Sequence, residues 1–162
     1  MRLVFIYIVL ITLTCVSAKA QTIADSEFKW TKSEDCFPKG TCKEIFLKVE
    51  EDPALNQFSK PEFDQLIGNV ISEVNLGENK SGIIKLKILF AKGQNLCVTQ
   101  IGTKLFELSD KQIYKIKQRI SEINLFKYGR QRNIEVDCLG ILYIVITDRE
   151  VTKIRNVNFT VG

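Results

Sequence analysis

The sequence predicts an α+β domain: an antiparallel sheet with two helices packed on one face. Three observations predict it. Two stretches, 59–74 and 109–123, repeat apolar residues at helical spacing behind a capping signature. Several stretches between 84 and 161 alternate, or run apolar, over strand lengths. The strands follow one another through short turn-rich connections, so hairpins dominate and the sheet is antiparallel.

The chain opens with an address. Met1-Arg2 gives a short charged start, Leu3 to Leu13 is an almost wholly apolar run, and Ala18-Lys19-Ala20 matches a cleavage box. The apolar stretch Leu3 to Ala18 is at the short limit for a bilayer span. Residues 1–20 are therefore expected to be a cleaved signal peptide, with Gln21 first in the mature chain. Cys15 lacks the small residue that ordinarily precedes a lipidated Cys, so a lipid anchor is not expected. Cleavage removes Arg2 and Lys19, which leaves 142 residues at a net charge of +2. That length suits one domain with one core.

Residues 21–44 read as a lead-in carrying a loop between Cys36 and Cys42, and residues 45–162 as the folded domain. Ile45 to Val49 reads as a short strand, broken by Glu50-Glu51-Asp52-Pro53, a solvated acidic turn. Ser59 and Glu62 form a capping box, and Pro61 sits in the first turn, where its missing N–H costs little. Phe63, Leu66, Ile67, Val70, Ile71 and Val74 then mark the buried face of the first helix, which Gly77 ends. Ile84, Leu86, Ile88 and Phe90 alternate with Lys85 and Lys87, placing the lysines on the opposite face of a strand. Residues 91–95 are a Gly-containing hairpin loop, 96–101 the return strand, and Gly102 the release.

Ser109 and Gln112 make a second capping box, with Ile113, Ile116, Ile120 and Ile123 as the buried stripe. Residues 124–129 lead out, and Arg130-Gln131-Arg132-Asn133 is a solvated connector. Ile134 to Cys138 and the apolar run Gly140 to Ile146 follow, the latter as a central strand. Asp148-Arg149-Glu150 turns the chain into a last strand, Val151 to Val161, where Val157, Phe159 and Val161 alternate with Asn158 and Thr160.

Composition argues against several chemistries. The chain has no His, which excludes Ser-His and Cys-His nucleophile pairs, HExxH sites and imidazole zinc ligands. Glu50, Glu51 and Asp52 form the one dense acidic cluster, but adjacent residues do not oppose one another across a substrate. No enzyme, metal or cofactor is expected. The weak charge, without an interleaved basic-aromatic stretch, argues against nucleic acid. Asn79-Lys80-Ser81 and Asn158-Phe159-Thr160 match the glycosylation sequon and are given no function. Four mature cysteines, Cys36, Cys42, Cys97 and Cys138, suit disulfides in an exported chain and admit three connectivities. Closeness in sequence favours Cys36–Cys42, and placement in strands favours Cys97–Cys138. Their spacings match no zinc pattern.

In order and spacing, several of these motifs resemble the C-terminal domain of the TonB family. Glu50-Glu51-Asp52-Pro53 is similar to the family's opening segment, and Gly82 to Phe90 with Gly93 to its G-x-V-x-V-x-F hairpin. Phe126-Lys127-Tyr128-Gly129 is similar to its W-x-P-G exit, with Phe for Trp and Tyr for Pro, and Ile141 to Ile146 to its final strand. The resemblance runs from Val49 to Ile146. It implies the two-helix sheet fold and docking of partner peptides by strand addition at a sheet edge. Energy-transducing members carry a membrane helix with a His and a long Pro-rich linker. This chain has no His and three Pro, and its four mature cysteines and the strand after Asp148 lie outside the family pattern.

The expected protein is therefore an exported, non-enzymatic, TonB-like binding domain of the bacterial periplasm or envelope. Its partner is an envelope protein or peptide segment, met at a candidate edge formed by Val157, Asn158 and Phe159. The alternative is a secreted, disulfide-stabilised inhibitor or adhesin-type module.

Overall fold

The computed structural model describes residues 25–32, 36, 44–77, 80–123 and 126–162. The expected signal segment, Cys42 and Asn79 lie outside the described residues. The elements run β1 (Lys29–Lys32), β2 (Ala54–Leu55), α1 (Lys60–Val74), β3 (Gly82–Phe90), β4 (Cys97–Lys104) and α2 (Asp110–Ser121). They continue β5 (Gly129–Gln131), β6 (Ile134–Val136), β7 (Cys138–Thr147), β8 (Glu150–Val157) and β9 (Thr160–Val161).

Both helices begin where their capping boxes place them. The Ser59 backbone N–H donates to Glu62 Oε2 at 2.8 Å, and the Ser109 N–H to Gln112 Oε1 at 2.8 Å. Phe63, Ile67, Val70, Ile71 and Val74 are buried from α1, and Ile113, Ile116 and Ile120 from α2. The first helix stops ahead of Gly77, because Asn75 takes the left-handed C-cap at φ 51°. Asn tolerates that region better than any other residue with a Cβ.

The sheet has the order β1-β4-β3-β7-β8, and every neighbouring pair is antiparallel. Its centre is β3, where Ile84, Leu86, Ile88 and Phe90 face both helices and are at most 2% exposed. They join Phe63, Ile67, Ile116, Ile120, Leu142 and Ile144 in one core. Burying a side chain of this size contributes roughly 1.5–3 kcal/mol, and this shared layer is what fixes the helices to the sheet.

Four expectations about local structure are corrected. Residues 45–49 do not form a strand; Phe46 makes a single parallel bridge to Cys138. The reason is space: β8 occupies that side of β7 from Ile141 onward, leaving Phe46 only the backbone of Asp137 and Leu139. Gly102 does not release the chain, since β4 continues to Lys104, and the missing Cβ instead admits the ring of Trp30. Arg130 to Asn133 is not a plain connector but part of the β5–β6 hairpin, turned by Arg132 (φ 51°) and Asn133 (φ 64°). The last strand is not continuous to Val161: Asn158, at φ 60°, breaks it after Val157, and β9 pairs in parallel with β2.

Candidate functional site

The two faces of the sheet differ in chemistry. Opposite the helices, the pairing register sets Lys104, Ile83, Val145 and Lys153 in one row across the strands. Trp30, Gly102, Lys85, Tyr143 and Arg155 form the next row. Basic side chains thus recur on this outer face from one edge to the other.

The lead-in segment covers one end of that face. Lys85 is only 4% exposed, with its ammonium 5.4 Å from the Phe28 ring centroid, 5.5 Å from Trp30 and 5.0 Å from Tyr143. Asp25 supplies the counter-charge, at 2.5 Å from Lys85 and 3.4 Å from Lys87. Burial works against the Asp25 carboxylate, but hydrogen bonds and charge from Lys85 and Lys87 outweigh it and hold its pKa below the ordinary value. Burial likewise opposes the Lys85 charge; Asp25 and Tyr143 overcome it, and its pKa is raised. Trp30 lies flat over Gly102 and donates from Nε1 to the Asp25 carbonyl at 2.9 Å. Glu27 meets Lys104 at 2.5 Å. The cover is a strap of two acids and two aromatics on a basic sheet.

The other end of the face is open. β8 pairs with β7 on one side, and among the described residues no strand or bridge pairs its other side. A strand in this position presents a row of unpaired N–H and C=O groups. Lys153 and Arg155 are exposed on the outer face, and neither makes an ion pair among the described residues. On the helix side Val151 and Ile154 are only half-buried, although they pack against the core. A groove of about 370 Å³ runs beside Val151, lined also by Gly68, Ile71, Leu76 and Arg149.

Of the three residues expected to form an edge, only Val157 lies on it. Asn158 is in the turn and donates from Nδ2 to the Leu47 carbonyl at 2.9 Å. Phe159 is 3% exposed, with its ring 6.3 Å from that of Phe63 and 5.4 Å from that of Phe90. Phe159 and Val161 belong to the core, whereas Val157 pairs with Ile141 on the outer face, so the three do not share one face. The edge lies one segment earlier, and its signal was the alternation of Lys153 and Arg155 with Ile154 and Asn156.

Both favoured cysteine pairings are corrected. Cys36 bonds to Cys97, with Cα atoms 5.8 Å apart. Cys97 cannot reach Cys138 because β3 lies between their strands, about 10 Å across by ordinary strand spacing. They also face opposite sides, since Cys97 pairs with Leu89 and Cys138 with Phe90, consecutive residues of β3. Cys36, Leu89 and Ala91 form a small second cluster on the outer face, whereas Cys138 belongs to the main core. Cys138 is a free thiol pushed up to about 11, mainly by burial.

The acidic triplet does not converge. Glu50 accepts from the Arg132 backbone at 2.9 Å, Glu51 pairs with Lys127 at 3.7 Å, and Asp52 is exposed. Among the described residues no group of three or more acidic or Cys side chains is placed to hold a metal. No described helix is long and apolar enough to cross a membrane. That finding and the disulfide are compatible with an exported protein. No family model, curated protein or solved structure matches the chain.

Proposed function

We propose that this chain is an exported, non-enzymatic, TonB-like binding domain of the bacterial envelope that takes a partner segment along the edge of β8. The observation that carries the reading is the open eight-residue edge strand. In the family pattern, Ile141 to Ile146 is the final strand; here β8 lies beside it and β7 is interior. The docking strand is thereby moved one position outward. An added strand gains main-chain hydrogen bonds from β8 and covers Val151 and Ile154, whose outer sides the domain leaves uncovered.

The test is capture from envelope extract with the full chain, followed by hydrogen exchange on the captured complex. Protection gained by the β8 amides supports the reading. A complex in which those amides exchange as fast as in the free protein sinks it.

A further inference from the structure

We infer that the strand accepted by β8 is acidic on alternate residues, with apolar residues between. The inference rests on the edge-binding reading and goes beyond it to the chemistry of the partner. The sheet itself carries the precedent. Along the two rows of its outer face, Lys104 is met by Glu27 and Lys85 by Asp25, both supplied by the segment that leads into β1. At the far end of those same rows stand Lys153 and Arg155, with no acid opposite them among the described residues.

Geometry sets the spacing. Lys153 and Arg155 are two residues apart, so they share a face at about 6.8 Å, and an incoming strand repeats that distance between its own alternate residues. Carboxylates at such positions meet both cations. The intervening residues fall on the helix side, against Val151, Ile154 and the apolar wall of the groove. A second copy of the chain is the poorer occupant. Antiparallel pairing of β8 with itself about Ile154 sets Lys153 of one copy against Arg155 of the other, and directly opposed like charges are destabilising. In that register the two cations discourage self-pairing, and the same residues select an acidic strand.

The experiment titrates the full chain with three probes of eight residues: an alternating Val/Glu peptide, its Val/Lys counterpart, and the Val/Glu peptide methylated on every backbone nitrogen. The Val/Glu peptide is expected to bind at least about tenfold more tightly than the Val/Lys peptide. The double variant Lys153→Glu/Arg155→Glu is expected to reverse that order, with an unchanged unfolding midpoint as the control. Methylation is expected to abolish binding. If methylation abolishes binding but the double variant leaves the order unchanged, the acidic partner is overturned while the edge stands. If the methylated peptide binds as well as the parent, the edge reading fails and the inference falls with it.

Discussion

The ammonium of Lys85 sits 2.5 Å from a carboxylate oxygen of Asp25, a residue 60 positions earlier in the chain. The contact joins the middle of the central strand to the lead-in, and it holds a nearly buried cation on the outer face. Removing the acid leaves the cation buried, whereas removing the cation leaves an acid that is partly in water and still near Lys87. Asp25→Asn is therefore expected to cost about 1–3 kcal/mol, and Lys85→Met less. Urea midpoints of the two variants check the order, and a costlier Lys85→Met would contradict it.

Acid acts on the same contact. The Asp25 carboxyl is held below its ordinary pKa, and so are the exposed Glu27, Glu62 and Glu107 through their own partners. The unfolded chain then takes up protons first as pH falls. The stability these groups add is complete above the unfolded values, near pH 4, and is lost as pH drops through the lower folded ones. Lys85, whose pKa is raised, has the opposite sense: its share is complete below about pH 10 and is lost at higher pH. Urea midpoints between pH 5 and pH 2 should fall, and Asp25→Asn should flatten the curve.

Gly102 is a seat for the one tryptophan. A Cβ at that position would lie 3.0 Å from the Trp30 ring, tighter than ordinary contact. Gly102→Ala is expected to lift Trp30 off the sheet, expose the Lys85 cage and cost about 1–3 kcal/mol. Because the chain has a single Trp, its fluorescence reports the displacement directly as a red shift. An unshifted spectrum would show that the strap does not rest on this glycine.

The cysteines should separate cleanly by reactivity. Cys97→Ser opens a link between residues 61 apart and is expected to cost about 2–4 kcal/mol. Cys138 is 2% exposed with its thiol pushed up to about 11, so it should resist alkylation in the native protein and react on unfolding. Mass mapping after alkylation, with and without urea, checks both the bond and the buried thiol. Rapid native labelling at Cys138 would contradict this placement.

The parts legible in the sequence were those whose signals are local. Ser59 with Glu62 and Ser109 with Gln112 placed both helix starts, and the alternation of Ile84 to Phe90 with Lys85 and Lys87 gave β3 and its faces. What was hidden depends on register. Cys97 and Cys138 both sit in strands, but a one-residue offset along β3 sends them to opposite faces. β1 was invisible because Lys29-Trp30-Thr31-Lys32 has no apolar alternation; it is a strand only because β4 offers it an edge. The break at Asn158 depends on a backbone angle that many residues disfavour and Asn accepts, so a run that alternates on paper becomes an edge, a turn and a core Phe.

The Cys36–Cys97 bond also has a consequence for the order in which the molecule is made. Cys36 is synthesised 61 residues ahead of its partner. Until Cys97 follows, the thiols nearest to it in the emerging chain are Cys15 and Cys42. Oxidation at that stage can only join the wrong sulfurs, and the pairing that closeness in sequence favours is the one the finished protein has to avoid or undo. A thiol–disulfide exchange catalyst in the compartment where the chain folds should therefore raise the yield of natively paired protein without altering its final stability.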